Sequence, residues 1–193
     1  MKIGVLALQG DFAEHISVLE GIGVEAVEVR LPEQLQGLDG VIIPGGESTT
    51  IAKLATVYNL MEALRLFGSE KAIWGTCAGA ILLSSDVHST QPLLGLMDIT
   101  VKRNAFGRQV ASFETDLDVP ALKSAGLGEQ PYHAVFIRAP LIESLGKEAR
   151  SLAQLPDGWI VAAEQGRLLV TSFHPELTTD DRFHRYFLSL VSR

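Results

Sequence analysis

The chain has 193 residues, 47% of them apolar and 20% charged, with a single cysteine and a formal net charge of −7. This describes an ordinary globule with enough chain to bury a core, not a disordered chain. A mildly acidic surface with no basic cluster excludes nucleic acid and anionic membrane as partners, and one cysteine excludes an internal disulfide. The opening MKIGVLALQGDF superficially resembles a secretory signal, but Gln9 and Asp11 interrupt its short apolar run, so a reducing cytoplasm is the expected compartment. No run reaches the roughly 18 apolar residues of a membrane span.

In chain order, KIGVLAL (2–8) reads as a buried strand and FAEHISVLEGIG (12–23) as a helix with Phe12, Ile16, Leu19 and Ile22 on one face. VEAVEV (24–29) and GVIIPGG (40–46) are further strands. STTIAKLATVYNLMEALRLFG (48–68) reads as one helix, capped by Ser48 and stopped at Gly68. KAIWG (71–75) is a fourth strand and AGAILLSS (78–85) the helix after it. This alternation predicts a flavodoxin-like α/β fold, a doubly wound and mostly parallel sheet with helices on both faces. From about residue 93 the rhythm changes. DITVKRN, GRQVASFETDL, AVFIRAP, WIVAAEQ and RLLVTSFH are short strand candidates, expected to add an antiparallel or mixed portion to the same sheet. TTDDRFHRYFLSLVSR (178–193) closes the chain as an amphipathic helix with Phe183, Phe187, Leu190 and Val191 inward. No linker or repeat divides the chain, so 1–193 reads as one domain.

Three segments carry chemistry. Gly75-Thr76-Cys77-Ala78-Gly79 is a G-x-C-x-G pattern between a strand and a helix, the arrangement of a nucleophile elbow. Its glycines make room for a strained turn, and the helix N-terminus favours the thiolate that attacks carbonyls. Read without that frame, Cys77 is a small buried hydrophobe. His174 follows LLVTSF and stands two residues before Glu176. In extended chain i and i+2 share a side, so Glu176 can hold the imidazole while its other nitrogen faces the thiol. The bland alternative for His174 is a strand-end residue beside a turn proline. His15 and His184 fall in predicted helices and read as surface or partly packed; His88 and His133 read as loop residues. PGGES (44–48) ends a strand with two glycines whose N–H groups suit an oxyanion, and otherwise serves as a turn and helix cap. Acyl chemistry needs two such donors, here Gly46 and Ala78. No CxxC or HxxxH spacing suggests a metal site.

PGGEST, GTCAG and FHPE, in that order, resemble the Cys-His-Glu glutaminases of the class I (triad) glutamine amidotransferase family. LALQGDFAEH, RLPEQL, RNAFGRQ, SFETDL, FIRAP and SFHPELT sharpen the resemblance to the glutaminase subunits of pyridoxal 5'-phosphate synthase, the PdxT/SNO family, from residue 3 to about residue 190. SSDVHSTQPLLG and the C-terminal helix match more loosely. The resemblance implies hydrolysis of L-glutamine to L-glutamate and ammonia through a glutamyl thioester. Cys77 is then the nucleophile, His174 the proton shuttle and Glu176 its orienter. Gly46 and Ala78 form the oxyanion hole, and Gly46, Glu47, Ser48, Arg103, Ile137 and Arg138 bind glutamine. It also implies no cofactor and no metal. Its partner is a (β/α)8-barrel synthase in a large hetero-oligomer, which receives the ammonia for vitamin B6 synthesis and completes the oxyanion hole on docking. Gln9, at the end of strand one, is the residue expected to sense that partner. Two rival readings are a triad amidotransferase serving another synthase and a non-catalytic, flavodoxin-like cysteine redox sensor. Sensors of that kind often carry His directly after the cysteine, where this chain has Ala78.

Overall fold

The computed structural model describes residues 1–103 and 112–193. Most of RNAFGRQ and the first part of GRQVASFETDL therefore lie outside the described residues. The elements are β1 (Lys2–Leu6), α1 (Phe12–Gly21), β2 (Glu25–Val29), β3 (Gly40–Ile43), α2 (Ser48–Val57), α3 (Leu60–Glu70), β4 (Ala72–Thr76) and α4 (Ala78–Leu83). They continue as β5 (Ser84–Asp86), β6 (Met97–Lys102), β7 (Ser112–Leu117), α5 (Pro120–Ser124), β8 (Tyr132–Ile137), β9 (Leu141–Leu145), β10 (Arg150–Gln154), β11 (Ile160–Gln165), β12 (Leu168–Thr171) and α6 (Arg182–Val191).

Among the described residues the main sheet runs β2-β1-β3-β4-β12-β11-β9-β6-β5, with β10 paired to β11 off that path. The first five strands are parallel to their neighbours. β11, β9 and β6 then pair antiparallel in turn, and β10 pairs antiparallel with β11. The parallel half has the doubly wound order in which the chain leaves β1 and β3 toward opposite faces, opening a crevice at the carboxyl ends of the strands. The antiparallel addition to the same sheet is present. One part of that expectation is corrected, because β7 and β8 form a separate two-stranded sheet paired from Ser112↔Ile137 to Leu117↔Tyr132.

Period-2 alternation sorts the parallel strands between two cores. Val41, Ile43 and Ile73 point to a face covered by α2, α3 and α4 through Ile51, Ala55, Leu64 and Leu82. Ile42 and Trp74 point to the other, where Leu19 of α1 and Phe183, Phe187 and Leu190 of α6 cover them. Each wholly buried aliphatic or aromatic side chain of this kind is worth about 1.5–3 kcal/mol of transfer free energy.

The helix expected over 48–68 is two helices. Asn59 takes a left-handed conformation, φ 58°, and α3 restarts at Leu60. Asn tolerates that region, and Leu60, Met61 and Leu64 stay buried across the break, so the apolar period runs on through it. Gly68 does not stop α3 but lies within it. A Cβ there would stand 2.6 Å from Leu96 Cδ1, so the glycine admits a close neighbour. The last residues of AGAILLSS leave the helix as β5, which pairs with β6. No described helix is long and apolar enough to cross a membrane.

Candidate active site

Four chain segments converge at the carboxyl ends of adjacent strands: residues 9–11 after β1, 44–47 after β3, Cys77 after β4, and 172–176 after β12. The register Thr171↔Thr76 brings the last two side by side. Cys77 N–H also donates to Thr171 O at 2.8 Å.

The elbow is a steric fact. Cys77 sits at φ 48°, ψ −103°, a conformation that costs a non-glycine residue on the order of 1–3 kcal/mol. A Cβ at Gly79 would lie 2.0 Å from Ile43 O, and one at Gly75 would lie 2.4 Å from the backbone of Gly79. Both contacts are with backbone, so the G-x-C-x-G frame is required by packing. Cys77 is 6% exposed, and its Sγ lies 3.9 Å from the carbonyl oxygen of Ile137. Ile137 itself is exposed, and Arg138 beside it holds φ 46°, another non-glycine residue with positive φ.

His174 and Glu176 are both buried. His174 Nδ1–H donates to Glu176 Oε1 at 2.7 Å, with Asp11 Oδ2 at 3.4 Å from the same nitrogen. His174 Nε2 has no directed hydrogen bond among the described residues. Burial works against charge on this imidazole. Cys77 and Glu176 more than offset it and raise the His174 pKa to about 10. Burial pushes Glu176 upward, opposed by the bond from His174. Asp11, His174 and Glu176 place ligand-type atoms within 4.8 Å of one another, a grouping that sequence spacing did not show and that the His174–Glu176 hydrogen bond accounts for.

The glycine loop lies against the β1 loop. Gln9 Oε1 accepts from Glu47 N–H at 2.7 Å, and Asp11 N–H donates to Gly45 O at 3.2 Å. Gly46 has φ 148°, and a side chain there would meet Gln9. Ala78 is the first residue of α4, so its N–H has no acceptor within the helix. The expected Ser48 cap is corrected: Glu47 is the N-cap, accepting from Thr49 N at 3.2 Å and Thr50 N at 2.7 Å. The two threonine hydroxyls bond the same carboxylate, and with these bonds it falls to a pKa of about 2. Ser48 instead donates to Gln91 Oε1 at 3.2 Å, which also accepts from Arg103 Nη1 at 2.8 Å. Arg103 Nη2 stands 3.7 Å from Glu47. Gln9, Glu47, Ser48 and Arg103 thus belong to one connected cluster.

Asp11, Gln91 and His15 were missed in the sequence. For His15 a signal existed. It falls between Phe12, Ile16 and Leu19 on the apolar stripe of α1. The surface reading of His15 and His184 is corrected, since both are wholly buried. His88 is exposed beside Glu143; the loop reading of His133 is corrected, since it lies within β8, exposed between Asp116 and Glu114.

Comparison with known proteins matches the profile of the SNO glutamine amidotransferase family to residues 5–193. The chain belongs to that family. Among curated members, "Pyridoxal 5'-phosphate synthase subunit PdxT" of Herpetosiphon aurantiacus is 57% identical, covering 98% of this chain and 100% of its own length. The protein of the same description from Moorella thermoacetica is 55% identical, covering 99% and 100%. Among solved structures, one described as "Crystal structure of glutamine amidotransferase" superposes with a TM-score of 0.91 at 50% identity, covering 99% of both chains. A putative GMP synthase protein from Thermoplasma acidophilum shares the fold, with a TM-score of 0.71 at 18% identity, covering 100% of this chain and 94% of its own. In this SNO amidotransferase Cys77 and His174 lie just beyond the carboxyl ends of the neighbouring parallel strands β4 and β12.

Proposed function

We propose that this chain, as one domain over 1–193, is the glutaminase subunit of a pyridoxal 5'-phosphate synthase, hydrolysing L-glutamine to L-glutamate and ammonia. The observation that carries the reading is the His174–Glu176 bond of 2.7 Å at the end of β12, beside a strained cysteine elbow at the end of β4. The match to the SNO glutamine amidotransferase family supports glutamine as substrate, and full-length similarity to relatives described as subunits of pyridoxal 5'-phosphate synthase supports the assembly.

His174 Nε2 takes the Cys77 thiol proton as Sγ attacks the side-chain carboxamide carbon of glutamine. The C–N bond breaks, and the leaving nitrogen takes a proton from His174 Nε2 and departs as ammonia. A γ-glutamyl thioester remains. His174 then takes a proton from water, whose oxygen attacks the thioester carbon, and the sulfur leaves to give glutamate. Glu176 keeps the His174 proton on Nδ1 and so frees Nε2 for these transfers. The N–H groups of Gly46 and Ala78 hold the oxyanion of each tetrahedral intermediate. Arg103 grips the substrate α-carboxylate as a planar two-donor fork. Gly46, Glu47, Ser48, Ile137 and Arg138 line the rest of the glutamine site. The chemistry written here needs no cofactor or metal.

Ammonia released into neutral water is protonated and lost as a nucleophile. A (β/α)8-barrel synthase docked in a large hetero-oligomer receives it internally, in a reducing cytoplasm that suits a free thiol. Gln9 senses that partner: its side chain accepts from Glu47 N–H and touches Gly46, so pressure on the end of β1 moves the oxyanion loop.

The test is glutamate release with and without a purified barrel-type synthase. Release is expected to rise on adding the synthase, and Cys77→Ser is expected to lower it by about 10³-fold or more while docking persists. Full glutaminase activity in Cys77→Ser overturns the assignment. Gln9→Ala is expected to weaken activation by the synthase, and unchanged docking and activation in that variant removes Gln9 from the scheme.

A further inference from the structure

The triad leaves one buried atom unexplained. Glu176 Oε1 is engaged by His174, but Oε2 has no directed hydrogen bond among the described residues. A buried carboxylate oxygen with nothing facing it drives the group toward its neutral acid, which holds an imidazole poorly. The group facing Oε2 is His15 Nε2, at 3.3 Å. Thr76 Oγ1 lies 3.2 Å from the same nitrogen. On the far side of the ring, His15 Nδ1 lies 3.0 Å from His184 Nε2. Trp74 packs edge-on to both imidazoles, with ring centroids 5.6 Å from His15 and 4.9 Å from His184.

The tautomers of this pair follow from its outer end. Burial holds both histidines below their ordinary pKa, so each carries one ring proton. His184 Nδ1 is buried without a partner among the described residues. A proton there would be an orphaned N–H, whereas a bare lone pair is the lesser loss. The His184 proton therefore sits on Nε2 and donates to His15 Nδ1. This leaves His15 with its own proton on Nε2, the nitrogen that faces Glu176 Oε2 and Thr76 Oγ1.

We propose that His15, its tautomer set by His184, is a positioning residue of the catalytic site that supports the second oxygen of Glu176. Two neutral rings thereby extend Cys77–His174–Glu176 inward to α1 and α6. This 3.3 Å contact, which is not an aligned hydrogen bond, adds no net charge that would compete with the His174 imidazolium for the carboxylate. It fixes the carboxyl plane from below, so that Oε1 stays aimed at His174 Nδ1. The role in catalysis rests on the glutaminase reading, while the tautomer assignment does not.

Two measurements test it. In the full-length chain with ¹⁵N-labelled histidine, long-range ¹H–¹⁵N correlations at neutral pH are expected to show His15 and His184 both as neutral Nε2–H tautomers. A His15 ring protonated on Nδ1 alone overturns the proposal, with or without enzymatic activity. In the complex with the synthase, His15→Leu is expected to lower kcat for glutamate release roughly 10–100-fold, the range for partners that orient a reacting group from behind, with KM changed by no more than about twofold. His15→Gln, whose amide nitrogen can take the place of Nε2, is expected to restore most of kcat. Wild-type kcat in His15→Leu overturns the proposal, as does a folded His15→Gln as impaired as His15→Leu. Should His15→Leu fail to fold, the tautomer measurement on the unaltered chain decides. A wild-type complex that releases no glutamate refutes the glutaminase reading instead.

Discussion

The two faces of the parallel sheet are built from different materials. Under α2, α3 and α4 the buried side chains are almost all aliphatic, with Ile51, Leu64, Ile73 and Leu82 at the centre. Under α1 and α6 the aliphatic side chains are joined by an aromatic group of Trp74, Phe173, Phe183 and Phe187, in which Phe173 meets Phe183 edge to face and Trp74 packs edge-on to His15 and His184. An aliphatic layer supplies cohesion without direction. An aromatic layer seated on hydrogen-bonded imidazoles also fixes orientation, because its rings and N–H groups have preferred angles. The catalytic rim is therefore held differently from its two sides, and the face that carries the polar pair reaches Glu176.

That contrast can be broken or sharpened by experiment. The largest effect is expected from Glu176→Gln, which removes the charge that orients His174 and should lower kcat by about 10²–10⁴-fold, read as glutamate release in the synthase complex. Phe183→Ala, on the aromatic face, is expected to cost about 3–5 kcal/mol in urea unfolding. By loosening Trp74 above the imidazoles, it should also lower kcat roughly tenfold. Leu64→Ala, on the aliphatic face, is expected to cost a comparable 2–5 kcal/mol and to leave kcat close to wild type. Equal kcat losses in these two variants would erase the distinction between the faces.

The pH dependence of stability separates the histidines. The His174 pKa is raised to about 10, so its contribution is complete below about pH 6.5, the unfolded value, and is lost as pH rises toward 10. His184 is lowered to about 4 by burial, so stability falls as pH drops from about 6.5 toward 4, where unfolding releases an imidazole that takes up a proton. His184→Leu should make the acid limb of a urea-midpoint profile shallower, with the remaining slope carried by His15, whose pKa burial also lowers, and should leave the alkaline limb in place. The smallest effect is expected at Glu47→Ala. Loss of an exposed helix cap costs about 1 kcal/mol or less, seen as a small decrease in thermal midpoint.

Much of this architecture is legible in the residues alone, for reasons that are local. Strands such as GVII and AIWGT are short apolar runs bounded by turn residues, and the glycines around Cys77 report a close backbone approach whatever the tertiary context. His174 and Glu176 do meet, but not through the extended segment expected: Pro175–Leu177 is a turn of 3-10 helix entered at His174, and that turn brings the carboxylate to Nδ1. What stayed hidden depends on distant chain. Asn59 breaks a helix without breaking its apolar period. Ser48 looked like the cap because Ser is a common one, whereas the longer Glu47 reaches two N–H groups and two hydroxyls. A histidine on an amphipathic helix reads the same whether it faces water or another histidine, so His15 and His184 are identified only by their meeting across 169 residues of chain. The separate β7–β8 sheet is invisible for the same reason, since strand pairing is a property of two segments.

The insertion of β12 beside β4 has a consequence for biosynthesis. During translation the Cys77 thiol emerges from the ribosome long before the His174 imidazole that the proposed mechanism pairs with it, and the two become neighbours only when a late strand docks against an early one. A growing polypeptide therefore carries an unassisted sulfur, and hydrolytic capacity arises with the closing of the tertiary structure.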